Sequence, residues 1–382
     1  MTVPSPDTAP PPLTRLGIAR IETTCIRVPL GRVFRGSKYE MSHRSTIVTR
    51  VYTDEGIVGE AYAGDEDESL AEIVRVLETE LAPRLLGEDC FAVERIWEIG
   101  YPVTFNILRD RRIGLVALAA VDLAVWDTVG KALGQPLWRL WGGYRDRVGL
   151  IVIGGYYDGA MSIGEEIAGY REMGLAGCKF KVGGRSPVVD AARVLEARDA
   201  AGDEFALMID ANQGYTVDQA VDLCRRIDGA GVRWFEEPCQ WHNDRRAMRD
   251  VRAMGGIPVC AGQTEMSVSG CRDLMEAGAV DICNFDSSWS GGPTAWRRCA
   301  AVAHAYDVAM GHHEEPHAAL HLIASQAHGT YAECFHPDRD PIWWKMIANR
   351  PDPVGGVVKL PEAPGLGWDL DREYIEFHRI DR

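Results

Sequence analysis

Six short apolar runs between residues 178 and 313 each end in side chains that can do chemistry: CKFKVGG, LMIDANQG, WFEEP, VCAGQTE, CNFDSS and MGHH. They deliver Lys179 and Lys181, Asp210 and Asn212, Glu236 and Glu237, Gln263 and Glu265, Asp286, then His312 and His313. Lys179 and Lys181 stand two apart in an extended run, so they share a face. Asp210, Glu236 and one of Gln263 or Glu265 offer oxygen donors from three successive runs. Such a set suits one hard divalent ion, with Mg2+ the natural candidate. Salt bridges to Lys179, Lys181 or Arg233 would explain any one of these acids. Donors on three consecutive runs beside a two-lysine run ask for a metal.

Val, Ile, Leu and Phe runs that end in charge require buried parallel strands opening on one rim. Strand-like runs at 150–154, 178–182, 206–210, 233–236, 259–262, 282–285, 308–311 and 331–334 alternate with helix-length segments. Those segments lie at 162–174, 187–201, 217–230, 243–254, 267–277, 293–306 and 318–328. The expected fold class is therefore α/β, a modified TIM-like (β/α) barrel over residues 144–336. Ahead of it, alternating patterns at 17–28 and 45–58 predict antiparallel strands, with a hairpin turn at 53–56. Apolar spacing of three and four at 69–86 and 112–133 predicts amphipathic helices, so 15–143 reads as an α+β capping domain. The stretch GRVFRGSKYEMSH at 31–43 reads as a mobile basic loop. Residues 337–382 are expected to pack back on the cap, and the Pro-rich residues 1–14 to form a disordered tail.

Composition narrows the partners. The chain has 382 residues, 46% hydrophobic and 25% charged, enough for a sizeable core. A formal net charge of −15 argues against nucleic acid or an anionic membrane as partner. Ten cysteines without CxxC pairs indicate reduced, buried thiols and no zinc ribbon or disulfide framework. No signal peptide is visible and no apolar run reads as long enough to span a bilayer, so a cytoplasmic location is expected.

Together these motifs resemble the enolase superfamily in its mandelate racemase subgroup. AVDLAVWDTVGKALGQPLWRLWGG at 120–143 is similar to the subgroup's helical signature, and KFK at 179–181 to its KxK motif. Asp210 follows Lys181 by 29 residues, Glu236 follows Asp210 by 26, His313 follows Asp286 by 27, and Glu333 follows His313 by 20. The resemblance implies one Mg2+ ion per site and abstraction of the proton next to a substrate carboxylate. It implies Lys181 as the base, its pKa held down by Lys179, which also stabilises the enediolate. His313, charged and oriented by Asp286, would act on the opposite face, and Glu333 would donate to an enediolate oxygen. Homo-oligomers are also implied. At the third metal position the family's usual Glu is replaced by Gln263; position favours Gln263 and charge favours Glu265.

Two groups on opposite faces permit dehydration of a β-hydroxy acid, with His313 protonating the departing hydroxide. They equally permit racemisation or epimerisation of a 2-hydroxy or amino acid derivative. Acid-sugar dehydratases are the commoner proteins of this kind, so an aldonate, aldarate or tartrate-like substrate is expected. Arg35 and Lys38 in the basic loop, with Asn212, His312 and His317, are the candidate substrate contacts. His317 and His321 stand four apart, but without a zincin Glu they read as helix-core residues and not as a metal pair.

Overall fold

The computed structural model describes residues 13–380 except 66–67, 158 and 160. The expected tail at 1–14 therefore lies almost wholly outside the described residues. Three antiparallel strands, β1 (Ile18–Arg35), β2 (Glu40–Thr53) and β3 (Val58–Tyr62), form the first sheet. The segment expected as a mobile loop at 31–43 is mostly ladder. After a register shift beyond Pro29, Phe34 pairs with Met41 and Arg35 with Glu40, leaving a tight turn. Helices α1 (Leu70–Val76), α2 (Ala82–Leu85), α3 (Val93–Gly100), α4 (Arg111–Leu133) and α5 (Leu137–Leu140) complete the cap.

Helix α4 corrects one expectation. It is long and apolar enough, by length and composition, to cross a membrane, yet 94% of its apolar window is buried inside the protein. It is the core helix of the cap, packed against α3, β2 and β3. Asp110 caps its first turn and Gly134 ends it in a left-handed conformation (φ 63°) that glycine adopts without cost.

Eight parallel strands follow: β4 (Arg147–Gly154), β5 (Gly177–Lys181), β6 (Ala206–Asp210), β7 (Val232–Glu236), β8 (Val259–Ala261), β9 (Ile282–Cys283), β10 (Ala309–Met310) and β11 (Ala332–Phe335). Their order is β10-β9-β8-β7-β6-β5-β4-β11. The chain entering β11 closes the ring, since Met310 N donates to His328 O and Thr330 N to Met310 O. Helices α6 (Ile163–Glu172), α7 (Pro187–Ala201), α8 (Val217–Arg226), α9 (Asp244–Gly255), α10 (Val268–Glu276), α11 (Gly292–Ala305) and α12 (Pro316–Ala324) connect the strands. The C-terminal segment adds β12 (Val357–Lys359), antiparallel to β4, and α13 (Arg372–Phe377). It also hydrogen-bonds to the cap, through Leu366 N to Asp127 and Ile380 N to Cys25 O.

Strand alternation layers the barrel interior. Ile151, Ala206, Met208, Trp234, Cys260 and Ile282 form one apolar cluster inside it. Two residues further along each chain, Asp210 follows Met208 and Glu236 follows Trp234. The next layer is therefore charged, and the chemistry sits directly on the core.

Candidate active site

At the C-terminal ends of the strands, cap and barrel enclose a cavity of about 290 Å³. Lys181, Asn212, Glu237, Gln263, His313 and Glu314 line it from the barrel, and Tyr39, Met41, Asp65 and Arg112 from the cap. Backbone strain gathers here. Among the described residues, six besides glycine have positive φ, and Asn212, Gln213, Glu237, Glu314 and Glu315 are five of them.

The charged layer beneath the cavity is a dense ion-pair network. Lys179 Nζ lies 2.7 Å from Glu236 Oε1 and 2.7 Å from Glu333 Oε1. Lys181 Nζ donates to Asp210 Oδ2 at 2.7 Å and to Asn212 Oδ1 at 2.9 Å. Glu237 accepts from Thr264 Oγ1 at 2.7 Å and from Gln263 Nε2 at 3.0 Å. Burial, with Asp210 and Glu333 nearby, pushes the Glu236 carboxyl up to about 8 against the pull of Lys179. Burial also raises Glu237. Lys181 departs from expectation. Burial lowers it most and Lys179 adds to that, but Asp210, Tyr39 and Tyr156 together outweigh both and the ammonium is held well above its ordinary range.

Do these residues fit a divalent cation? Two ammonium groups, Lys179 and Lys181, face four buried carboxylates, Asp210, Glu236, Glu237 and Glu333. With all four ionised, as a bound cation would hold them, the deficit is two positive charges, which one divalent ion would close. Gln263 Oε1 is buried without any hydrogen-bond partner, an unusual loss for a buried amide unless a cation completes it. The donor set is all oxygen, as a hard ion requires. The residues fit.

Lining the same cavity as Lys181, His313 has Nδ1 2.9 Å from Asp286 Oδ2 and Nε2 3.2 Å from Glu314 Oε1. Burial disfavours the charged ring, but Glu314 and Asp286 overcome this and raise its pKa well above the ordinary value. His313 depresses Asp286 and Glu314 in turn, against their own burial. The Trp289 ring covers the imidazole, with centroids 4.9 Å apart.

Models of two protein families cover almost all of the chain. The mandelate racemase/muconate lactonizing enzyme N-terminal domain matches residues 20–142, and the enolase C-terminal domain-like family matches 162–374. The chain belongs to the mandelate racemase/muconate lactonizing enzyme family of the enolase superfamily. The D-galactarolactone cycloisomerase of Agrobacterium fabrum is 30% identical over 95% of this chain and 99% of its own. The arabinonate dehydratase of Saccharolobus solfataricus is 28% identical over 85% of this chain and 88% of its own. A family member from a marine actinobacterium, crystallised in complex with magnesium, is 62% identical with a TM-score of 0.92, covering 96% of this chain and 100% of that one.

Within this family architecture, several expected site residues stand elsewhere. Glu265 is not at the metal position, because its carboxylate pairs with Arg245 on α9 at 2.7 Å. Strand β8 ends at Ala261, and Gly262 turns with φ 142°, breaking the two-residue period that would have put Glu265 beside the other acids. A Cβ at Gly262 would meet Cys283 Sγ at 3.0 Å. Arg35 pairs with Glu40 at 3.3 Å, and Lys38 is exposed; neither lines the cavity. His312 is buried, with Nε2 accepting from Ser287 N at 3.1 Å and Nδ1 facing His313 O at 2.8 Å. His317 donates Nε2–H to Tyr62 O at 2.9 Å and stacks on the Tyr62 ring, away from the cavity. Glu333 was expected to donate to a reaction intermediate; here it accepts, from Lys179 and from Glu314 N at 3.0 Å. His321 is held by Trp138 N and Leu366 O, as a core residue.

Sequence reasoning missed Glu314, Trp289, Arg112 and Arg339. Glu314 was visible in HHEEPH, but only its left-handed backbone (φ 52°) turns it back onto His313.

Proposed function

We propose that the protein is a Mg2+-dependent dehydratase of an acid sugar, forming a 2-keto-3-deoxy acid. The observation that carries this reading is a single cavity lined by both Lys181 and His313, with the imidazole kept protonated between Asp286 and Glu314. Asp210, Glu236 and Gln263 would hold the metal, with Glu237 next to them. When bound, the ion would supply counter-charge to those acids in place of the Lys181 ammonium, and a positive charge for the substrate carboxylate. With Asp210 balanced in that way, Lys181 would lose its ammonium proton to solvent, and the neutral Nζ amine takes the proton from the α-carbon. Lys179, the other ammonium of the network, stabilises the negative charge that develops on the carboxylate oxygens. His313 Nε2 gives its proton to the β-hydroxyl, which leaves as water. The enol that remains tautomerises to the keto acid.

Racemisation is the second reading, since the same two groups could exchange a proton across the α-carbon. The test is incubation of an acid-sugar library with Mg2+ in D2O, read by semicarbazide and by NMR. A dehydratase yields a keto product. Recovered substrate carrying α-deuterium, with no keto product, sinks the dehydratase reading. Lys181→Ala should abolish either turnover.

A further inference from the structure

We propose that Arg112, at the start of α4 in the cap, binds a second anionic group at the far end of the substrate, so that the preferred ligand is a six-carbon diacid and not the matching monoacid. This inference rests on the acid-sugar reading above and sharpens it. Three arginines come near the cavity, and two are spoken for. Arg44 is buried against Glu315 at 2.6 Å, Asp340 at 3.2 Å and Asp65 at 3.5 Å. Arg339 is held by Asp65 at 3.4 Å and lies over the Phe335 ring. Four acids, with Glu314 added, thus surround these two cations and leave no surplus positive charge for a ligand. Arg112 differs. Among the described residues no carboxylate lies within ion-pair distance of its guanidinium, which instead stacks on the Trp289 ring at 4.7 Å. Stacking orients the planar fork while leaving its N–H edges free for a carboxylate.

The spacing suits six carbons. Trp289 also packs on His313, at 4.9 Å, so the guanidinium and the imidazole share one indole as neighbour. From the α-carbon to the far carboxyl carbon of such a diacid is four C–C bonds, about 5 Å in extended form. A charge-assisted N–H to O contact adds about 2.8 Å. Together these span about 8 Å, within the separation that contacts of 4.7 Å and 4.9 Å to one indole centroid allow. Arg112 also lines a second, adjoining chamber of about 540 Å³, which shares Tyr39, Met41, Asp65 and Trp289 with the first. It therefore borders both chambers, within reach of the distal end of a ligand that extends from one toward the other. The other carboxylates of the cavity, Asp65, Glu237 and Glu314, can accept from intervening hydroxyls.

The experiment compares aldarates with the aldonates of matching configuration, in Mg2+, for wild type, Arg112→Gln and Arg112→Lys. Wild type should favour an aldarate in kcat/KM. Arg112→Gln should cut the aldarate-to-aldonate ratio by on the order of 10²-fold, the effect of losing a hydrogen bond to a charged group, and Arg112→Lys should restore part of it. Equal wild-type use of both classes, or an unchanged ratio in Arg112→Gln, overturns the inference while leaving the dehydratase reading intact. If neither class turns over, the dehydratase reading fails, and calorimetry with the same acids still decides this one. Diacid binding lost in Arg112→Gln upholds the subsite; diacids that bind no better than monoacids, or not at all, overturn it.

Discussion

Gln263→Glu tests the metal site at its least expected member. In wild type, Gln263 Nε2 donates to Glu237 at 3.0 Å, and its Oε1 has no partner. The variant replaces a donor by a second carboxylate at that distance. With an effective dielectric of about 20, two like charges 3 Å apart repel by about 5 kcal/mol. Protonating one of the pair limits the cost. Relative to an unfolded Glu pKa of about 4.3, keeping one carboxyl neutral costs about 1.36 kcal/mol per pH unit, hence about 4 kcal/mol at pH 7 and about 1 at pH 5. The sign follows from an acid whose folded pKa is raised: stability is lost as pH rises above the unfolded value. Metal-free Gln263→Glu should thus be less stable than wild type by that amount in urea unfolding, with the gap closing toward pH 5. Added Mg2+ should reverse the order of effects, because the new charge becomes a ligand and the Mg2+-induced stabilisation becomes larger than in wild type. If the variant matches wild type without metal, or its response to Mg2+ is unchanged, Gln263 does not face the cation and the site must be built from other donors.

Three further outcomes follow from the same geometry. Asp286→Asn removes the partner 2.9 Å from His313 Nδ1; turnover should fall by about 10² to 10⁴, and the alkaline limb of the pH–rate profile should move to lower pH, since one of the groups raising the imidazole is gone. An unmoved limb would mean that His313 is not the acid. Arg44→Met leaves Glu315, Asp340 and Asp65 buried without their shared cation and should cost about 3–5 kcal/mol in chemical unfolding, a loss that shrinks in acid. All ten cysteines are free and buried; a thiol reagent should leave the native protein unmodified and react with ten groups in denaturant, and any rapid native reaction would contradict the packing.

The legibility of this chain follows the physics of period. Along a strand, side chains alternate strictly, so Lys179 with Lys181, Asp210 and Glu236 could be put on one face from spacing alone. The alternation of eight such runs with helical segments was enough for the barrel. Helix α4 shows the limit of composition: an apolar 23-residue stretch reads the same in a bilayer or a core, and only the sheet and helices around it decide. At the strand ends the period stops. Gly262 turns VCAGQTE out of register, so Gln263 enters the cavity and Glu265 leaves for Arg245. At His313-Glu314-Glu315 two left-handed residues fold an acid back onto the imidazole. His312 and His317, chemically able to meet a ligand, are consumed by backbone partners that no local pattern announces. Arg35 and Lys38 failed for a related reason, since the register that pairs Arg35 with Glu40 aims Met41, not the basic residues, at the cavity. Arg112 is the extreme case, 69 residues before Lys181 in the chain and brought to it only by the docking of cap on barrel. The layer that generates reactivity is therefore readable from the strands that carry it, whereas the layer that chooses the substrate lies just beyond their ends.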